Sequence, residues 1–202
     1  MPPFCGGPGL SGELDLTEGS RSDWPHFARW HYRGAGLGPV RRVFLLWHGP
    51  EPVGLCIFGF GALSNAARNR AFGLPGKLTG ALARRINRDF ASVTRLVLDP
   101  RYRGAGLASL FLRRCCERVE WPWIELVSEM ATVVPFAESA GFRRLGHTGG
   151  RRAPAHPRPD EGPWGRSAWT DAARRRYRSR TRHSRPAYYV YDNRRREESH
   201  AR

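Results

Sequence analysis

The chain has 202 residues, 40% of them hydrophobic and seven of them tryptophan, which is enough apolar surface for one domain with a real core and excludes wholesale disorder. No stretch approaches the roughly 18 apolar residues of a membrane helix, and the start lacks the basic-then-apolar pattern of a secretory signal, so the sequence predicts a cytoplasmic protein without membrane association. The formal net charge of +16 is unevenly placed: residues 1–142 carry 17 basic and 12 acidic groups, a balance of +5, while 143–202 carry 17 and 6, a balance of +11.

Residues 1–20 are rich in glycine and proline and read as a flexible segment with one edge strand at 12–16. Ser22 or Asp23 can cap a helix over 24–32, with Pro25 tolerated in its first turn and Gly34, Gly36 and Gly38 ending it. Two apolar runs, 40–48 and 53–60, flank Gly49, Pro50, Glu51 and Pro52, a hairpin signal. A longer connection at 61–91 contains Asn65 and Asn69 and a helix over 78–90. The run from Val93 to Leu98 is β-branched and apolar, and it leads directly into Arg101, Tyr102, Arg103, Gly104, Ala105, Gly106, Leu107 and Ala108, after which the chain turns amphipathic. That order describes a strand whose basic, glycine-containing turn opens a helix, leaving backbone N–H groups free at the helix start to hold phosphate.

Further on, 123–130 reads as a strand, 133–142 as a short helix ending in Gly141 and Phe142, and 142–147 as another strand. From 149 to 185 arginine, proline, glycine and serine dominate, with a helix over 168–178; this reads as an excursion ahead of a last strand at 186–192 and a disordered tail at 193–202. The core is thus expected over 21–148, completed by 186–192. Lys77 is the single lysine, so the basic excess is arginine and points to a coding bias as well as to partners. Cys5, Cys56, Cys115 and Cys116 have no C-x-x-C spacing, which indicates neither a zinc site nor a disulfide framework.

The spacing Arg101-x-x-Gly104-x-Gly106 resembles the acyl-CoA pyrophosphate loop of the GNAT superfamily of N-acetyltransferases, whose pattern is Arg or Gln, two residues, Gly, one residue, Gly or Ala. The Gly141, Phe142 exit about 35 residues later resembles the end of that superfamily's fourth helix. Two ordered matches carry the resemblance. They imply an α+β fold: a mixed, mostly antiparallel sheet splayed at strands four and five, with helices on both faces. They also imply acetyl-CoA as co-substrate, no metal, and an acetyltransferase acting on an amine of a small molecule or a protein. Over 24–147 the chain looks closest to a bacterial branch found alone or appended to ABC-type ATPases, on His31, Tyr32, Asn65, Asn69, Arg95, Glu125 and the 130–141 stretch; an ABC-type ATPase is the partner this implies.

Carried onto this chain, the resemblance places the pantetheine arm beside the backbone of Leu96, Val97 and Leu98. It places the pyrophosphate on the N–H groups of Gly104, Ala105, Gly106, Leu107 and Ala108, with Arg101 and Arg103 adding charge. An ammonium acceptor must lose a proton before it attacks. Glu125 is the first candidate base, with Glu129 and Asp99 behind it; the competing reading of Glu125 is a structural ion pair. Two positions depart from the superfamily's pattern: Ala137 stands where a tyrosine often protonates the leaving thiolate, and Met130 where an asparagine is common. His31 and Tyr32 are the substitutes, against a reading as packing and cap. Asn65 and Asn69, four apart, can bind acceptor polar groups or shape a turn. The arginine-rich 150–185 segment reads either as a nucleic-acid contact, in a base-modifying enzyme of the phage Mom type or a silent binder, or as a solvated loop.

Overall fold

In the computed structural model, which describes residues 14–31, 36–148 and 186–194, seven strands form one sheet, and the inner ones carry continuous buried runs because both of their faces are covered. These are β1 (Leu14–Glu18), β2 (Val40–His48), β3 (Glu51–Gly59), β4 (Phe90–Leu98), β5 (Trp123–Ser128), β6 (Arg143–His147) and β7 (Ala187–Asp192). Their spatial order is β1-β2-β3-β4-β5-β7-β6, antiparallel throughout except for the parallel pair β4 and β5. The helices are α1 (Trp24–Ala28), α2 (Ala66–Ala71), α3 (Gly80–Asp89), α4 (Leu107–Cys116) and α5 (Phe136–Ser139). This is the mixed α+β architecture expected from the sequence, with helices on both faces.

The two faces are built differently. On one, α4 lays Phe111, Leu112, Cys115 and Cys116 over Phe44, Leu46, Cys56, Phe58, Ile124 and Leu126 as one continuous core. The three cysteines described are free and buried, and burial pushes the thiols of Cys115 and Cys116 well up. On the other face the apolar cover is split. Trp24 and Phe27 of α1 pack on Val43, Leu45, Leu55, Ile57 and Val97, whereas Ala67 of α2 packs with Tyr188 and Val190. The seam between those two clusters runs along the junction of β4 with β5.

Element boundaries move for local reasons. The expected 24–32 helix stops at Ala28, and the chain leaves by a tight turn in which the Trp30 N–H donates to the Phe27 carbonyl at 3.1 Å. Helix 133–142 shrinks to α5: a 3₁₀ turn at Met130–Thr132 precedes it, and Pro135 disfavours helical backbone at Val134. The strand before it ends at Ser128 because that side chain accepts from the Ala131 N–H at 3.1 Å and turns the chain. The expected flexible segment is shorter than 1–20, since Leu14 and Leu16 insert into the core. Asn193, in the expected tail, is fixed by donating to the Val119 carbonyl at 2.6 Å. Segments 1–13, 32–35, 149–185 and 195–202 lie outside the described residues, and with them the basic-loop expectation and Tyr32. No helix among the described residues is long and apolar enough to cross a membrane.

Candidate functional site

The site starts from one extra residue in β4. Arg95 pairs with Ile57 and Val93 with Phe58, so Thr94 has no opposite number on β3 and forms a bulge, its hydroxyl donating to the Ile57 carbonyl at 3.1 Å. Pairing of β4 with β5 ends at the same level, at Val93 and Leu126, while β5 stays with β7 as far as Ser128. Bulges terminate pairing and re-aim side chains, and this one does both. Beyond it, Arg95 and Val97 turn to the α1 face, and the far edge of β4 over 94–98 has no strand beside it among the described residues.

Hydrogen-bond alternation fixes which backbone groups face that open edge. The Asp99 N–H donates to the Val53 carbonyl at 2.9 Å, so the pair Leu98 with Gly54 is of the non-hydrogen-bonded kind. Alternation then makes Val97 with Leu55 a bonded pair and Leu96 with Cys56 a non-bonded one. The N–H and C=O groups of Leu96 and Leu98 therefore point away from β3, into the opening. The Leu98 carbonyl is met by Arg103, whose Nε and Nη2 both donate to it at 3.2 Å, while Nη2 also reaches the Trp30 carbonyl at 3.3 Å.

Directly after β4 comes the glycine turn. Gly104 and Gly106 have φ of +89° and +73°, values that glycine tolerates and other residues resist, and Gly106 is the N-cap of α4. No side chain among the described residues caps that helix, and its first turn carries no acidic residue. Intrahelical donors begin with the Ser109 N–H, which donates to the Gly106 carbonyl at 3.2 Å, so the N–H groups of Leu107 and Ala108 have no partner within the helix. The side chain of Leu107 is buried and that of Ala108 packs against the core, leaving only their backbones for a ligand. Arg101 is held by Asp99 and Glu51, and those carboxylates raise its pKa while Arg101 holds the Asp99 carboxyl low. Asp99 is consequently a poor proton acceptor.

Glu125 lies on β5 at the seam, 2% exposed, beside a fully buried Arg68 contributed by α2. Arg68 Nη1 donates to both Glu125 oxygens at 3.2 and 3.3 Å, and the Tyr188 hydroxyl donates to Oε1 at 2.5 Å. Desolvation raises the Glu125 pKa, opposed by Tyr188 and Arg68. Through Nη2, Arg68 also binds the carbonyls of Ala62 and Leu63 at 2.7 and 2.8 Å, fixing the wall of the seam. Gly61 is required here, because a Cβ at that position would collide with the Glu125 carboxylate. Gly61→Ala is expected to lower the unfolding free energy by about 1–3 kcal/mol, read as a fall in the urea midpoint at unchanged m-value.

Of the other expected residues, Asn65 caps α2, its side chain accepting from the N–H groups of Ala67 and Arg68 at 3.0 and 3.2 Å. Asn69 follows one turn later, its Oδ1 buried with no hydrogen-bond partner among the described residues. Glu129 is exposed just beyond β5. His31 stands edge-on to Trp24 at 5.6 Å, and the same Trp24 ring lies 5.3 Å from the Arg95 guanidinium, so these three gather on the α1 side of the opening. Ala137 is fully buried and Met130 is half exposed. Arg68 and Tyr188 were not expected. Nothing in the sequence separates Arg68 from 32 other arginines, although Tyr188 sits in a strand whose alternation assigns it a face.

No family model matches the chain, and no curated protein matches it. Solved structures do. One is the ribosomal-protein-S18-alanine N-acetyltransferase from Escherichia coli, at 14% identity, covering 88% of this chain and 90% of that one, with a TM-score of 0.46. Another is a spermidine N-acetyltransferase chimera from Vibrio cholerae and hSSAT, at 12% identity over 90% and 96% of the two chains and a TM-score of 0.49. A third is AAC(6')-Ib in complex with paromomycin and acetyl-CoA, at 13% identity over 89% and 93%, also with a TM-score of 0.49.

Proposed function

We propose that this protein binds acetyl-CoA along the open edge of β4 and transfers the acetyl group to an amine. The observation that carries the reading is the Thr94 bulge, beyond which the N–H and C=O of Leu96 and the N–H of Leu98 face an open edge immediately ahead of a glycine turn opening a helix. An extended pantetheine arm carries amides that pair with such an edge as an added strand does, and the uncapped start of α4 suits a pyrophosphate. Acetyl-CoA supplies an activated thioester; the chain supplies position, which replaces a bimolecular encounter by a held geometry.

In the transfer, the acceptor nitrogen bonds to the thioester carbonyl carbon, the C–S bond breaks, and the nitrogen gives up a proton. Glu125 does not take that proton in this reading, because its oxygens are occupied by Arg68 and Tyr188. His31, placed with Trp24 and Arg95 on the α1 side, takes it. With alanine at position 137, coenzyme A leaves as its thiolate, which a thiol pKa of roughly 8.5 permits at mildly alkaline pH.

Titration calorimetry with acetyl-CoA is expected to show one site per chain, with competition by coenzyme A. Absence of heat at millimolar ligand, with the protein folded by circular dichroism, overturns the reading. Acceptors are then identified with an amine panel followed by thiol release.

A further inference from the structure

Three consecutive side chains of the glycine turn are engaged by groups of the protein itself, although Arg101 and Arg103 stay exposed. Arg101 sends Nη2 to Glu51 Oε1 at 2.5 Å and to Asp99 Oδ2 at 2.8 Å, and its Nε to both Asp99 oxygens at 3.2 Å. Tyr102 packs its ring on the core and meets His48 Nδ1 through its hydroxyl at 2.5 Å. Arg103 returns to the Leu98 and Trp30 carbonyls. Glu51 and His48 are the two residues that close the β2–β3 hairpin, paired with each other across its turn. Asp99 is 4% exposed and is fastened to β3 by its own N–H.

We propose that Arg101, the residue the phosphate-loop pattern nominates as a ligand, is a positioning residue: with Glu51 and Asp99 it staples the glycine turn to the β2–β3 hairpin, and His48 with Tyr102 forms a second staple. The proposal rests on the acetyl-CoA reading above. Two carboxylates around one guanidinium offset the charge of Arg101, so that side chain offers an anion little net attraction. The arrangement makes sense if those carboxylates hold shape. With residues 99–103 pinned from behind, the N–H groups from Gly104 onward are ordered before the ligand arrives, and the ordering cost is removed from binding.

The sign of one substitution separates a staple from a ligand. Glu51→Gln removes a negative charge and loosens Arg101, so a phosphate-binding Arg101 is released and acetyl-CoA binds more tightly. A stapling Arg101 loses its anchor, and binding weakens. Glu51 is half exposed, so its substitution leaves the core intact, and at about 0.1 M salt the lost negative charge favours an anion while the lost anchor opposes it, so the sign of the change reports which acts. Under those conditions the expected result is a dissociation constant for acetyl-CoA about two- to fivefold higher, the range an exposed ion pair can supply. His48→Ala, which carries no change in carboxylate charge, is expected to weaken binding as well. Arg101→Lys is expected to behave like Arg101→Ala, since a lysine cannot fork between two carboxylates. Tighter or unchanged binding by Glu51→Gln, or parental binding by Arg101→Lys, overturns the staple. If the parent protein binds no acetyl-CoA, the functional reading falls separately, and the staple is judged by hydrogen exchange. Amides 104–108 must then exchange faster in Glu51→Gln and His48→Ala than in the parent, and equal rates reject it.

Discussion

Arg68→Ala is expected to lose about 3–5 kcal/mol of unfolding free energy, because it strands a carboxylate in a site from which water is excluded. Glu125 is 2% exposed, and Arg68 is both its counter-ion and the donor to the Ala62 and Leu63 carbonyls, which lose their partner as well. The loss should depend on pH with a definite sign. Desolvation already raises the folded Glu125 pKa above its ordinary value, and Arg68 opposes that rise. A carboxyl whose folded pKa is raised contributes stability that is present below the ordinary pKa and is lost as pH rises through the folded one. Without Arg68 the folded pKa climbs further, so the window of loss extends upward. The deficit relative to the parent is therefore smallest in acid, where Glu125 is neutral in both proteins, and largest near pH 8. Glu125→Gln in the Arg68→Ala background should recover part of the deficit at pH 8. Urea midpoints across this pH range for the four members of the cycle test the argument. A deficit below 1 kcal/mol, or one that does not change with pH, rejects it.

The glycine turn was legible in the sequence because its constraint is local: Gly104 and Gly106 occupy backbone conformations that most residues avoid, and a basic turn between a β-branched run and an amphipathic run has few other uses. The helix expected over 78–90 starts two residues later, at Gly80, because Thr79 caps it by accepting from the Leu82 N–H at 3.2 Å. The bulge was not legible. Val93 to Leu98 reads as an unbroken strand, and only pairing with β3 reveals that Thr94 is surplus and that Arg95 and Val97 face α1. The environment of Glu125 was hidden in a different way. Its partners Arg68 and Tyr188 lie 57 and 63 residues from it in sequence, and they meet because β7 enters between β5 and β6. Glu125 could be picked out as a carboxylate on the right strand, but whether it is open to an acceptor or sealed in an ion pair depends on those distant contacts.

Proline scanning of β4 separates the backbone groups that hold the sheet from those offered to a ligand. Val97 forms a bonded pair with Leu55, so Val97→Pro removes a ladder hydrogen bond and leaves the carbonyl of a fully buried residue unsatisfied. That loss alone costs about 1–3 kcal/mol, and acetyl-CoA binding should fall along with the fold. Leu96 is one residue away and opposite in kind. Its N–H faces the open edge, where proline takes nothing from the ladder, and Arg95 before it is already in the extended conformation that a following proline favours. Leu96→Pro should therefore keep the fold, giving up about 1 kcal/mol through reduced packing of a half-buried side chain. It should nevertheless bind acetyl-CoA roughly ten- to a hundredfold more weakly, the effect of leaving one amide of a buried arm without its donor. Thermal unfolding and calorimetry on the two variants give the contrast directly. Parental affinity in a folded Leu96→Pro variant would mean that the arm does not pair with this edge, and the Thr94 bulge would then have to serve a different ligand.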